Sequence, residues 1–378
     1  MTRILVTSQP GLGHLNGVIA IAQALQGSGH DVLAVGAPSV VSAFRRAAVA
    51  SRVIVEEPPG SDSLDTHAMV PRLISTAPRE RLAIVRAEIG IRRRALPLLD
   101  ALGPVVDQWR PEVFLRDATE CAAWVMAERC GLPEVSVEVS AHWPRERWNA
   151  ELGAALTELR DRAGLRTGAE GPAASMFRHL HVNNAPPSLR DPTVSLPSRV
   201  MDLAPEFFED HHQDRAPAID LTGHAYLAFG SVYQTPTHTV QEVVQRLSTQ
   251  FPGVIVAGVS MRALPRVVAR PYVAQTPAMP TCNVVVCHGG RNTVLTALRH
   301  GVPVVCVPIG SDHFDIAGFV QESGAGLTAG WHEDEITAAT LRVAAEPSFR
   351  ASARRISFEI SEMPGLDTLV RRIESLTG

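Results

Sequence analysis

Residues 282–317 read CNVVVCHGGRNTVLTALRHGVPVVCVPIGSDHFDIA. The run Val284-Val285-Val286-Cys287 is short, apolar and bounded by polar residues, which suits a buried parallel strand. His288-Gly289-Gly290 then turns the chain, and Thr293 to Leu298 carry apolar residues at helical spacing. Gly301 and Pro303 end that helix, and Val304-Val305-Cys306-Val307 make a second buried strand. A strand, glycine turn, helix and strand in this order aim backbone N–H groups and the positive end of a helix dipole away from the sheet edge. That is a seat for phosphate. Gly289 and Gly290 let an anion approach the backbone with no Cβ in the way, and His288 and Thr293 add donors. Taken alone, the same residues also describe an ordinary βα turn of an α/β core.

Asp312 and His313 follow the second strand, on the edge that carries the turn. Two sites on one edge of an open parallel sheet, about one βα unit apart, describe an extended ligand with an anionic end and a hydroxylated end. The stretch resembles the donor-sugar signature of the family 1 glycosyltransferases, roughly HGGxGT…ALxxGVPxxxxPxxxDQ…A. Here it stands as His288-Gly289-Gly290-Arg291-Asn292-Thr293, Ala297-Leu298, Gly301-Val302-Pro303, Pro308, Asp312-His313 and Ala317. Asn292 stands where the family usually has Gly, and His313 replaces the Gln beside the sugar-binding Asp. The resemblance implies that residues 288–293 bind a diphosphate and that Asp312 and His313 bind the donor sugar.

Composition sets the frame. A chain of 378 residues, 45% hydrophobic and 20% charged, has room for two domains with ample core. A net charge of −4 with no basic block argues against nucleic acid as a partner. Cys121, Cys130, Cys282, Cys287 and Cys306 form no CxxC pair and read as buried free thiols of a reducing compartment, not as metal ligands. The N-terminus runs straight into a strand, and no apolar run approaches the roughly 18 residues a membrane span needs. A cytoplasmic protein without membrane insertion is expected.

Arg3 to Ser8 is a first strand, and Leu15, Val18, Ile19, Ala22 and Leu25 line one face of the helix after it. Asp31 to Val35 completes a βαβ unit. The glycines of Gly11-Leu12-Gly13-His14-Leu15-Asn16-Gly17 invite a dinucleotide-binding reading. However, the second strand ends Val35-Gly36-Ala37-Pro38, without the acidic residue that holds a ribose hydroxyl. The loop resembles the family's GxGH, whose His is the catalytic base, a role that falls on His14; otherwise His14 merely caps the helix. Residues 58–79 read as loops, and a helical stretch from about Arg81 to Trp109 is expected, with a break at Gly103-Pro104. Its Arg92-Arg93-Arg94 run reads as a solvated face. Glu112 to Asp117 is the next strand, with a helix expected from about Ala118. Asp117 then sits at the strand's C-terminal end, on the edge from which His14 emerges, where a carboxylate can hold an imidazole tautomer. The alternative is an N-cap Asp without a chemical role. After a strand at Val135 to Val139, Trp143 and Trp148 either line an acceptor pocket or pack the core; a surface position is one reading of His142, which is assigned no role.

A polar, Pro-bearing stretch at 206–222, with Glu209 to Arg215 exposed, reads as a linker. The domains expected are then 1–205 for the acceptor, 223–362 for the nucleotide sugar, and a terminal helix at 363–378 packing back on the first. Gly230-Ser231 resembles the family's turn at the diphosphate, which places Ser231 there. Tyr272, Val273 and Gln275 match the element that contacts the nucleoside base, with Ala274 where the family has Pro.

The resemblance implies the α/β GT-B fold: two Rossmann-like domains with parallel sheets facing a central cleft. It also implies an inverting transfer of a sugar, often a deoxysugar, from a TDP- or UDP-sugar to a hydroxyl of a small secondary-metabolite acceptor. His14 would be the base, with Asp117 behind it. No cofactor beyond the nucleotide sugar is expected, and no metal, because no DxD pair stands near the phosphate turn. A monomer or homodimer is expected. Three other readings stay open: an NAD(P)-dependent oxidoreductase, a sugar-nucleotide epimerase of the same architecture, and a non-catalytic auxiliary protein.

Overall fold

The computed structural model describes residues 1–57, 78–209, 222–230, 236–259 and 261–377. They form two compact units. One comprises Met1–Asn184, Pro192–Phe208 and Pro364–Gly378, and the other Ala185–Asp191 and Glu209–Met363.

The first unit is built on seven parallel strands: β1 (Arg3–Thr7), β2 (Asp31–Gly36), β3 (Ser51–Val53), β4 (Val113–Asp117), β5 (Glu134–Val137), β6 (Leu180–Asn183) and β7 (Val200–Asp202). Their spatial order is β3-β2-β1-β4-β5-β6-β7. The second unit has β8 (His224–Ala228), β9 (Val254–Ala257), β10 (Val267–Arg270), β11 (Cys282–Cys287), β12 (Val304–Cys306) and β13 (Gly326–Thr328), ordered β10-β9-β8-β11-β12-β13, again all parallel. Parallel neighbours need crossover connections, so helices cover both faces and the strands become apolar throughout. Ile4, Leu5 and Val6 of β1 and Val284 to Val286 of β11 are all fully buried. Each sheet starts in its middle, winds outward one way and then restarts on the other side. The winding reverses between β1 and β4 in one unit, and between β8 and β11 in the other. Loops leaving neighbouring strands diverge there and open a crevice at the carboxyl edge.

The helix Leu12–Gly27 seats Leu15, Val18, Ile19, Ala22 and Leu25 in the first core, with Ile4, Val6 and Leu115. The helix Leu366–Glu374 adds Leu369, Val370 and Ile373 to that same core. His30 ties it down: Nδ1 accepts from the Thr2 N–H at 3.3 Å, so Nε2 donates to Glu374 at 3.1 Å. Among the described residues no helix is long and apolar enough to cross a membrane.

Three local expectations change. The helix Leu96–Trp109 runs through Gly103-Pro104 unbroken. An interior proline costs about 3 kcal/mol, but Leu98, Leu99, Leu102 and Val105 are buried around it and hold the helix to the core. The irregularity lies earlier, where Arg86–Ala95 takes π-helical form after the α-helix Pro78–Val85. The helix after β4 begins at Cys121, because the Glu120 side chain caps it by accepting from the Ala122 and Ala123 N–H groups. Glu209, expected in solvent, is half-buried and accepts from the Gln275 and Thr276 N–H groups at 2.9 Å each. Residues 58–77 and 210–221 lie outside the described residues.

Candidate active site

In the first unit the carboxyl ends of β1 and β4 lie side by side, with Thr7 opposite Arg116. The chain leaves β1 through Ser8-Gln9-Pro10 and enters the next helix at Gly11, whose φ of 107° suits a residue without a Cβ. His14 lies in the first turn of that helix, its side chain 35% exposed, and it makes no capping hydrogen bond. Its Nδ1 faces Asp117 Oδ1 at 3.4 Å and Thr119 Oγ at 3.3 Å. Asp117 is fully buried. Its oxygens accept from the Gln9 N–H (2.5 Å), Ser8 Oγ (3.1 Å), the Thr119 N–H (2.8 Å) and Thr119 Oγ (2.5 Å). Burial works against its ionisation, but the charge and hydrogen bonding of His14, with Thr119 and the Gln9 N–H, outweigh it and hold the carboxyl at about 2. A permanently ionised carboxylate behind Nδ1 keeps the proton on that nitrogen. Nε2 is left as the basic atom, carried by a ring that solvent reaches.

One strand further along the same edge lies a group that the sequence reading passed over. Glu138 Oε2 meets His142 Nδ1 at 2.6 Å and His181 Nε2 at 3.3 Å, and these three ligating atoms all lie within 4.8 Å of one another. Two donors on one zinc-sized ion, each about 2.0–2.1 Å from it, stand roughly 3 Å or more apart. The Glu138–His142 contact is shorter than that and is a direct hydrogen bond. Burial raises the Glu138 carboxyl, and its bonds to His142 and His181 more than reverse this, holding it well below the usual range. His142 is therefore no surface residue. No sequence signal pairs residues 138, 142 and 181, which meet only because β5 and β6 are neighbours. Trp143 is 2% exposed and sandwiched between the guanidinium groups of Arg86 and Arg147, 3.9 and 3.8 Å from the ring centroid. It packs the core.

In the second unit the carboxyl ends of β8 and β11 lie side by side, with Ala228 opposite Cys287. His288 follows β11, and Gly290 stands at the N-terminus of the helix Arg291–Arg299, which has no side-chain cap. His288 Nδ1 donates to the Ala228 carbonyl at 3.4 Å, and its ring meets the His313 ring edge-on, centroids 4.5 Å apart. The glycines here make room for imidazoles. A Cβ on Gly290 would lie 2.5 Å from His288 Nε2, one on Gly230 2.9 Å from His288 Cε1, and one on Gly289 2.9 Å from the His313 carbonyl. Burial pushes the His288 pKa down, against the Ala228 carbonyl and Asp312. Burial and His288 push His313 down to about 4, against Asp312. Both rings are neutral near pH 7.

The other expected residues divide. Thr293 is buried and accepts from Gln275 Nε2 at 3.0 Å, so Gln275 stands at the phosphate turn. Arg291 is also buried and lines a small apolar cavity with Leu189, Val294, Ile316 and Phe319. Asn292 is half-buried beside it. Asp312 is buried at the start of the helix His313–Glu322, where Ser311 Oγ donates to it at 3.2 Å. Val273 is buried and its carbonyl accepts from Tyr226 Oη at 3.3 Å, while Tyr272 is half-exposed. Ser231 lies outside the described residues.

Residues 252–376 match the family model described as erythromycin biosynthesis protein CIII-like, C-terminal domain. The chain is 26% identical to L-demethylnoviosyl transferase of Streptomyces niveus, covering 96% of this chain and 95% of that one. It is 25% identical to the elloramycin glycosyltransferase ElmGT of Streptomyces olivaceus, over 100% and 98% of the two chains. The chain is a glycosyltransferase, similar over nearly its whole length to those of antibiotic biosynthesis.

Among solved structures, this glycosyltransferase superposes on the glycotransferase of kitacinnamycin with a TM-score of 0.78 at 19% identity, covering 99% of both chains. With the glycosyltransferase VinC in complex with dTDP the TM-score is 0.75 at 22% identity, again over 99% of both. The fold is GT-B: two units with parallel sheets, as the sequence led one to expect.

Proposed function

We propose that this glycosyltransferase moves a sugar, a deoxysugar by preference, from a TDP-sugar to a hydroxyl of a small, largely apolar secondary metabolite, with inversion at the anomeric carbon. The observation that carries the reading is His14, solvent-accessible and backed by an ionised, fully buried Asp117 at the carboxyl edge of the first sheet. His14 Nε2 takes the acceptor proton as the oxygen attacks, and Asp117 holds the ring in the tautomer that permits it. The leaving diphosphate is held by His288, Thr293, Ser231 and the backbone at Gly289 to Asn292, where the helix Arg291–Arg299 opens. Asp312 and His313 hold sugar hydroxyls, Tyr272 contacts the base, and Gln275 reaches from the base side to Thr293 at the phosphate turn. Direct displacement needs a base and a leaving-group seat, both already assigned, and no covalent nucleophile. Support for TDP comes from relatives: one is a TDP-daunosamine transferase of Streptomyces peucetius, and VinC was solved with dTDP.

His14→Ala should lower kcat at least about a hundredfold while the Kd for TDP, read by calorimetry, stays within about twofold. Loss of TDP binding with kcat intact would move His14 to the donor side. Transfer should continue at full rate in EDTA. A stop that Mg²⁺ or Mn²⁺ reverses would show that a metal carries charge assigned here to helix N–H groups and His288.

A further inference from the structure

The first unit contains a cavity of about 630 Å³ at the carboxyl edge of β1, β2 and β3, starting at Ser8, Gln9 and Pro10, the loop that leads to His14. Val40, Ile54, Val55, Pro97, Leu98 and Ala101 give it apolar walls. Arg94 lines it too. The π-helical segment Arg86–Ala95 presents Gly90 and Arg94, about one turn apart, to the same neighbour. Gln9 Nε2 donates to the Gly90 carbonyl at 3.2 Å, and Arg94 Nη1 donates to Gln9 Oε1 at 3.4 Å. Arg94 thus faces the cavity, not open solvent as its place in an Arg-Arg-Arg run suggests.

The cavity's carboxylates are otherwise engaged. Glu57 accepts from the Ser39 N–H (2.9 Å) and Oγ (2.7 Å). Asp100 takes a two-point bond from Arg162, 2.8 Å on each arm. Glu120 caps its helix and accepts from Thr7 Oγ at 2.7 Å. Glu56 and Arg93 are exposed at the rim. For Arg94, the long contact to neutral Gln9 is its one hydrogen bond among the described residues. Burial lowers its pKa, with the charges of Glu57 and Asp117 pulling the other way across a distance. A guanidinium carries five N–H donors in a planar fork that fits a carboxylate or phenolate. This one holds a single neutral partner over an apolar floor.

We propose that Arg94 is a specificity-determining residue that binds an acidic substituent of the acceptor, so that the substrate class is a mostly apolar scaffold carrying one carboxylate or acidic phenol. This rests on the reading of the first unit as the acceptor side. Gln9 also ties the two ends of the site together, since its backbone N–H donates to Asp117. An anion held at Arg94 is therefore two residues of contact away from the His14–Asp117 pair.

The test uses the full chain without nucleotide and two fluorescent probes, 7-methoxycoumarin-3-carboxylate and its ethyl ester, which differ only in the acidic group, with binding read by anisotropy. The wild type should bind the acid at least about tenfold more tightly than the ester, as a charge-assisted two-point bond requires. Arg94→Gln should erase that preference and leave ester affinity unchanged, and Arg94→Lys should restore part of it. Unchanged ester affinity in both variants certifies that the first unit folds. Equal affinity for the two probes, no binding of either, or a preference that survives Arg94→Gln each overturns the proposal. Because no donor is present, an acid preference that holds while sugar transfer fails would sink the transferase mechanism and leave the anion site standing.

Discussion

The two sheets reverse their winding in the same way, and each reversal carries histidine, yet the two places are electrically opposite. At the β1/β4 reversal a buried carboxylate is kept ionised and the histidine in front of it is open to solvent. At the β8/β11 reversal two imidazoles are buried against each other and kept neutral, with glycines cut back to admit them. In the function proposed above, the first arrangement uses a fixed charge to steer a proton, and the second offers dipoles and N–H groups to a diphosphate without first having to shed a counter-ion. The fold supplies the crevice twice, and on that proposal the residues packed beneath it decide between acid–base work and anion binding.

Acid should separate the two most strongly. His313 has a folded pKa of about 4 against 6.5 ordinarily, so the unfolded chain binds the proton first. Stability from this residue is therefore complete above pH 6.5 and falls between 6.5 and 4, by about 3 kcal/mol in all. Asp117, at about 2 against 3.8, contributes stability that is complete above 3.8 and is lost only between 3.8 and 2. Denaturant melts across pH 7 to 4 should show the early loss, and His313→Gln should remove the largest part of it, leaving the smaller share of His288. A wild-type curve already flat from 6.5 to 4 would mean that the buried imidazole is not neutral, and the contrast would collapse.

Gly290→Ala comes next in size. A methyl 2.5 Å from His288 Nε2 must displace the ring, and TDP affinity should fall about thirtyfold, while binding of a coumarin probe to the first unit stays as it was. Calorimetry with TDP decides it; an unchanged Kd would free the glycine from this role. The smallest effect expected is that of Asp117→Asn, about tenfold in kcat with Kd for TDP unchanged, because it removes an orienting charge and leaves the base. A loss as large as that of His14→Ala would instead make the pair act as one unit.

Both reversals were visible in the sequence as a strand ending in a chemically loaded turn, because parallel strands buried on two faces leave runs such as Val284 to Val286 that little else produces. Short edge strands were not: Ser51–Val53, Val267–Arg270 and Gly326–Thr328 have too few residues to show a period, and partners far along the chain specify them. Polar clusters made across strands were equally hidden. Glu138, His142 and His181 are brought together by the pairing of β5 with β6, and Arg94 is turned inward by a π-helical segment that no composition marks. His313 reads in sequence as a variant of a sugar ligand. Its ring contact with His288 adds a structural part that only the packing reveals.

The seating of Leu369, Val370 and Ile373 beside Ile4 and Val18 has a consequence for how the chain is made. A ribosome delivers the first unit's strands early, then the whole of the second unit, and only afterwards the helix that closes the first core. Until residues 366–374 emerge, the surface they will cover stays open, so the unit begun first is finished last. A stop codon just before Leu366 should therefore leave the second unit intact and make the first one prone to aggregate, although the deletion lies far along the chain from every strand it harms.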